Sequence, residues 1–245
     1  VRNPAHDVQE EKQPEPVDYF SSTHPLRKAA TEVAYRARKR MFDYFRQVMP
    51  VTPGATVLDV GVTPDRSLKD SNFFEQFYPY KDKITATSIE DASFLEKQYP
   101  GLRFIQTSGL KLPFADKTFD IVFCSAVLEH VGDRASQKIF IDELLRVSRH
   151  FFITTPNRQF PVEMHTFLPL LHWLPQPAHQ AVLRKLGMNF WASTENLNLL
   201  SPDTFLKLFP GQAAVKLHQH RLLGLPSNLI GYGSIKDDFQ NNQAQ

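Results

Sequence analysis

Apolar residues recur every three or four positions between Pro25 and Met49, at Ala29, Val33, Ala34, Ala37, Met41, Tyr44 and Phe45, which predicts one long helix over 25–49. The basic residues Arg36, Arg38, Lys39 and Arg40 mostly fall on its other sides, as on a solvated face. After Pro50 and a Pro53-Gly54 turn the pattern changes. Short runs rich in Val, Ile and Phe, apolar on both faces, predict strands at Thr56–Val60, Ile84–Ser88, Arg103–Gln106, Phe119–Cys124 and Phe151–Thr155. Helical periodicity marks Leu68–Phe77, Ala92–Gln98 and Gln137–Ser148 between them. Strand–helix alternation of this kind predicts an α/β fold with a parallel sheet covered by helices on both faces.

The end of the chain reads differently. Ser201-Pro202-Asp203 starts a helix, with Ser201 as the N-cap and Pro202 at the first helical position. Strands Ala214–His220 and Asn228–Ile235 follow, joined through Gly224 and Pro226. That link is too short for a crossover helix, so the pair is expected to be antiparallel. Residues 157–198 interrupt the alternation with PNRQFPVEMHTFLPLLHWLPQP and a helical run, Ala178–Leu186. An insertion this long is expected to form a lid or substrate wall. Residues 1–17, charged and proline-bearing with few apolar positions, are expected to be a disordered arm, leaving 18–245 as a single domain.

Composition narrows the class. A chain of 245 residues with 42% hydrophobic and 22% charged residues suits one soluble globular core. A net charge of +2 gives no electrostatic bias toward nucleic acid, and none is expected as a partner. The single cysteine, Cys124, excludes an intrachain disulfide framework and suits a reducing compartment. With no apolar core of a signal peptide in VRNPAHDVQEEKQPEP, a cytoplasmic location is expected. No Cys/His spacing suggests zinc, no Gly-Lys-Ser/Thr phosphate loop is present, and no metal is expected.

Ligands of open α/β sheets bind beyond the carboxyl ends of the strands. Polar signals gather at those ends: Asp59-Val60-Gly61 after the first strand, Ser88-Ile89-Glu90-Asp91 after the second, and Thr107-Ser108-Gly109 after the third. Leu110 to Val131, LKLPFADKTFDIVFCSAVLEHV, leads into and out of the fourth. Together these resemble the class I S-adenosylmethionine-dependent methyltransferases, over roughly residues 50–156. The most specific parts are Leu112-Pro113-Phe114 ahead of Phe119-Asp120, and Leu128-Glu129-His130-Val131. The resemblance implies a Rossmann-like doubly wound sheet of five parallel strands plus a C-terminal antiparallel pair, with S-adenosyl-L-methionine as cofactor.

Carried over by position, the resemblance assigns Asp59 and Gly61, continued by Val62 and Thr63, to the amino-acid end of the cofactor. Ser88 stands where an acid usually grips the ribose hydroxyls, so Glu90, beyond Ile89, is the candidate in a shifted register. Ser108, beside Gly109, takes the place of an adenine-contacting aspartate, and Ser125 and Ala126 line the cofactor after the fourth strand. The family's second and third glycines are replaced by Thr63 and Asp65, and Pro64 removes an N–H donor.

Methyl transfer from a sulfonium needs an aligned acceptor and, for a hydroxyl, help in removing its proton. His130, Glu129 and the insertion's His165 are the candidate catalytic residues. Asn157, Arg158, Glu163 and His172 are candidates for substrate contact. The apolar run Phe160, Phe167, Leu168, Leu170, Leu171, Trp173 and Leu174 reads as core packing of the insertion or as an entrance for a lipid-linked or aromatic acceptor in peripheral contact with a membrane. The leading expectation is methylation, at oxygen, of a small-molecule or lipid- or saccharide-linked acceptor. The alternative is a methyltransferase-like domain that binds or assembles without catalysis.

Overall fold

The computed structural model describes residues 25–66 and 71–236. The expected arm at 1–17 and residues 68–70 of the expected second helix lie outside the described residues. Helix α1 spans Pro25–Val48, α2 Phe73–Phe77, α3 Phe94–Gln98, α4 Arg134–Arg146, α5 Gln176–Lys185 and α6 Pro202–Leu206. The strands are β1 Val57–Val60, β2 Ile84–Ser88, β3 Arg103–Gln106, β4 Phe119–Ser125, β5 Ser148–Pro156, β6 Ala213–Leu222 and β7 Leu225–Ile235.

They form one seven-stranded sheet in the order β3-β2-β1-β4-β5-β7-β6. β1 to β5 run parallel to one another, whereas β7 is antiparallel to both β5 and β6. The doubly wound sheet with an antiparallel pair at its C-terminal edge is therefore present as the sequence predicts. So is the start of α6: Ser201 accepts from the Thr204 N–H, the Thr204 hydroxyl accepts from the Ser201 N–H, and Pro202 opens the helix.

The boundary between α4 and β5 differs. The pattern predicts a helix running to Ser148, but α4 stops at Arg146 and Ser148 already pairs with Phe119 as the first residue of β5. The Ser148 hydroxyl donates to the Leu144 carbonyl at 2.9 Å, capping the helix end as the chain turns into the sheet.

The alternation of side chains along the strands divides the core in two. Val57, Ile121, Phe123 and Phe152 pack against Phe42 and Phe45 of α1 and Phe73 and Phe74 of α2. Leu58, Val60, Val122, Cys124, Phe151 and Ile153 face the other way, toward Phe140, Ile141, Leu144 and Leu145 of α4 and Phe205 of α6. On the first face Phe45 meets Phe123 and Phe152 edge to face, whereas Phe123 stacks on Phe74 and Phe152. No helix among the described residues is long and apolar enough to cross a membrane.

Candidate active site

The order of strands reverses at β1, whose neighbours β2 and β4 are both parallel to it, so the switch-point crevice opens beyond Val60 and Ser125. Asp59 lies two residues after Val57 and so projects toward α1 and α2. There it meets Glu75 of α2, and both side chains are buried. Burial, then the charge of Glu75, holds the Asp59 carboxyl well above the usual range. Burial likewise pushes Glu75 up to about 7, against the opposing hydrogen bond with Asp59 and the nearby Lys81 charge. Two carboxyls so placed share a proton more readily than they carry two charges. The Lys81 ammonium is held by the carbonyls of Glu75, Gln76 and Tyr78. Sequence reasoning missed Glu75. An acid inside the run Phe73-Phe74-Glu75-Gln76-Phe77 was the available signal.

Gly61 opens the loop at φ +99, and a β-carbon there would lie 2.1 Å from Val127 Cγ2. Its N–H and that of Val62 both donate to the Thr87 carbonyl, at 2.8 and 3.2 Å. Thr63 donates its N–H to Asn72 Oδ1 and receives Asn72 Nδ2 on its carbonyl, each at 2.9 Å. The Asp65 N–H goes to Thr63 Oγ1 at 3.1 Å. A side-chain bracket thus fixes the loop where glycines were expected. The amides of Gly61, Val62, Thr63 and Asp65 are all engaged inside the protein, so side chains are left to meet a ligand here.

At the end of β2, Ser88 is buried and its hydroxyl accepts the Glu90 N–H at 3.3 Å, while the side chains of Ile89 and Glu90 are exposed at the rim. Ser108 is exposed and receives the Leu110 N–H at 3.2 Å. Gly109 serves packing: a β-carbon there would come within 2.3 Å of the Phe140 ring. Ser125 shares a 2.9 Å hydroxyl contact with Thr154, and Ala126 follows at φ +57, so the chain bends sharply as it leaves β4.

That bend leads into a short 3-10 turn, Leu128–His130, and to a second cluster. Glu129 is fully buried. Its Oε2 accepts from the Thr155 hydroxyl at 2.9 Å, and its Oε1 has no hydrogen-bond partner. His130 Nδ1 lies 2.6 Å from the Asn196 carbonyl, which can only accept, so Nδ1 carries the proton and Nε2 lies 3.9 Å from Glu129 Oε1. Burial lowers the His130 pKa despite the Glu129 charge. The 157–198 segment brings His165 edge-on to His130, with ring centroids 4.8 Å apart, and beside Trp191 at 4.9 Å.

His165 Nδ1 lies 2.6 Å from Glu163 Oε1, and Glu163 Oε2 accepts both the N–H and the hydroxyl of Thr166. Burial works against charge on His165, but the Glu163 bond and the charges of Glu163 and Glu129 outweigh it and raise its pKa. Burial also opposes charge on Glu163, and its partners still hold it down to about 2. Glu129, His130, Glu163 and His165, read separately from the sequence, thus come together. Thr155, Asn196 and Trp191, which complete the cluster, were not singled out because nothing local to them marks the contact.

Asn157, Arg158 and His172 are each held by backbone carbonyls in or beside the segment. Asn157 is buried and ties the segment down, donating to the Pro226 carbonyl at 3.0 Å and accepting the Gln159 N–H. Arg158 donates to the Leu174 carbonyl, and its own carbonyl receives the Trp173 indole N–H at 3.0 Å. His172 is buried with Nε2 2.9 Å from the Phe160 carbonyl, beside a small cavity also lined by Asn157, Glu163 and Ser227.

Residues 58–150 match the family described as "Methyltransferase domain". No curated protein matches the chain. Among solved structures, N-methyltransferase NodS from Bradyrhizobium japonicum WM9 is 13% identical with a TM-score of 0.52, the match covering 82% of this chain and 96% of that one. Magnesium protoporphyrin IX methyltransferase (ChlM) from Synechocystis PCC 6803, solved with SAH, is 12% identical with a TM-score of 0.54, over 89% and 90%. The 1,6-didemethyltoxoflavin-N1-methyltransferase of Burkholderia thailandensis, solved with 1,6-didemethyltoxoflavin and S-adenosylhomocysteine, is 13% identical with a TM-score of 0.53, over 91% and 94%. At these identities the structures share the fold. The family match, less than half of the chain, lies across the switch point of that fold, so the stretch that builds the crevice is similar to a methyltransferase domain.

Proposed function

We propose that this protein transfers the methyl group of S-adenosylmethionine to a hydroxyl oxygen of a small-molecule or lipid- or saccharide-linked acceptor. The observation that carries this reading is the placement of the Glu129–His130–His165 cluster directly past the end of β4, beside the switch-point crevice.

The crevice has residues suited to the cofactor. Glu75 and Asp59 form a buried pair of facing carboxyls. An ammonium group near Asp59 offers this pair the positive charge it lacks. Ser88 and Glu90 are the candidates for the ribose hydroxyls, Ser108 and Gly109 for the base, and Ser125 and Ala126 for the wall between them. When bound, the sulfonium supplies an activated methyl carbon.

The chain's own part is to hold the acceptor and manage its proton. With Nδ1–H directed at Glu163, neutral His165 presents the Nε2 lone pair, and the carboxylate steadies the imidazolium formed when it takes a proton. Glu129 adds negative charge close by, which favours the protonated ring. Phe167, Leu170, Trp173 and Leu174 are exposed on the segment that carries His165, which supports an aromatic or lipid-linked acceptor and peripheral contact with a membrane. Calorimetry with S-adenosylmethionine and S-adenosylhomocysteine tests the reading: binding at micromolar concentrations is expected, and no binding of either overturns it.

A further inference from the structure

Three lone pairs converge beside the crevice with no donor among them. His130 Nδ1 is turned to the Asn196 carbonyl and His165 Nδ1 to the Glu163 carboxylate, so each neutral ring keeps its lone pair on Nε2. Thr155 occupies one oxygen of Glu129, and the other is fully buried and unpartnered. Glu129, His130 and His165 each offer a ligand atom, all within 4.8 Å of one another. An unpaired carboxylate oxygen in such a place is costly unless a cation meets it.

We propose that Glu129, His130 and His165 form a binding site for a divalent transition-metal ion of the zinc class. Two imidazoles and one carboxylate are a recurring set for zinc and for open-sided iron(II) sites, where three protein ligands leave positions free for oxygen ligands. Bonds of roughly 2.1 Å imply ligand atoms roughly 3.4 Å apart around a tetrahedral ion. The 3.9 Å between His130 Nε2 and Glu129 Oε1 needs only a small closure to reach this. The outer contacts are also those of a metal site: each imidazole gives its second nitrogen to an acceptor, and the carboxylate's other oxygen accepts a hydroxyl. No zinc spacing stands in the sequence because the ligands come from two distant segments, one after β4 and one within 157–198.

The role of the ion rests on the methyltransferase reading. With the ion bound, His165 is a ligand in place of a proton acceptor: a metal here would coordinate the acceptor hydroxyl and lower its pKa, and the proton would leave to solvent. The site itself can be tested without turnover. The full-length protein, stripped with chelator and dialysed against Zn²⁺, is expected to retain one zinc per chain by elemental mass spectrometry. Micromolar or tighter affinity is expected by competition with a chromophoric chelator.

Glu129→Gln and His165→Ala are each expected to weaken Zn²⁺ at least 100-fold, and Thr155→Val, which removes only an outer contact, about 10- to 100-fold. Co²⁺ in place of Zn²⁺ is expected to give a visible absorption band that the same variants lose. Absence of stoichiometric Zn²⁺ from the folded wild-type protein overturns the proposal, as does undiminished binding in Glu129→Gln and His165→Ala. Calorimetry with S-adenosylhomocysteine on the same samples separates the two readings. Cofactor binding without Zn²⁺ sinks only the metal site, whereas Zn²⁺ binding without cofactor sinks only the methyltransferase reading.

Discussion

The side-chain amide of Asn72 holds Thr63 at both of its backbone polar groups, accepting the N–H and donating to the carbonyl at 2.9 Å each. Asn72 adopts φ 51 to do so, a conformation asparagine tolerates better than most residues. The loop after β1 is thereby made rigid without the expected glycines. Asn72→Ala is expected to weaken S-adenosylhomocysteine binding about tenfold while costing about 1–2 kcal/mol of stability, since two hydrogen bonds are lost at a half-buried site. Titration calorimetry and urea unfolding give the two numbers. Unchanged affinity would show that the loop does not contact the cofactor.

The Asp59–Glu75 pair makes a statement about pH. Both carboxyls have folded-state pKa values above their unfolded ones, Glu75 at about 7. The folded protein therefore keeps protons that the unfolded chain has already lost. The pair's contribution is fully present below the unfolded carboxyl pKa and is lost as pH rises to about 7. Glu75→Gln removes this term. Its unfolding free energy relative to wild type is expected to climb between pH 5 and pH 8, by an amount on the order of 2 kcal/mol. A difference that stays flat across that range would contradict the raised carboxyl.

Gly61 is constrained twice, by its φ of +99 and by Val127 across the crevice. Gly61→Ala is expected to destabilise the protein by about 2–4 kcal/mol through overpacking and backbone strain. Adding Val127→Ala relieves the clash but not the strain, so the double variant should recover part of the loss. Denaturant midpoints of the four proteins in this cycle measure the coupling. Strict additivity would mean that the two side chains do not meet.

In the second cluster, His165→Ala is expected to leave cofactor affinity intact and lower kcat at least 100-fold once an acceptor is in hand. Asp59→Ala, by contrast, is expected to abolish cofactor binding. If His165→Ala removes cofactor binding instead, the 157–198 segment covers a different part of the crevice than the acceptor end.

Much of this was legible from periodicity. Runs apolar on both faces marked all five parallel strands, and the short link through Gly224 gave the antiparallel edge. The contacts that build the site were less visible because they are long-range. Nothing around Asn72 signals that it reaches back to Thr63, and nothing around Thr155 signals Glu129. Gly109 stood out as a place for a ligand, and its missing β-carbon also makes room for Phe140, a long-range contact that nothing local to it marks. Glu129 and His130 stood out by position after β4, whereas their meeting with His165 depends on how the inserted segment folds back.

The inserted segment is fastened at both ends by polar contacts that do not involve its middle. Asn157 binds the Pro226 and Ser227 carbonyls at one end. At the other, Asn198 donates from its backbone to Glu129 and from its side chain to Gly132, and Gln137 reaches the Leu128 and Asn198 carbonyls. Exchange of the stretch between these fixed points, residues 159–195, is therefore expected to leave the strand ladder in place while removing Glu163 and His165 from the cluster beside His130.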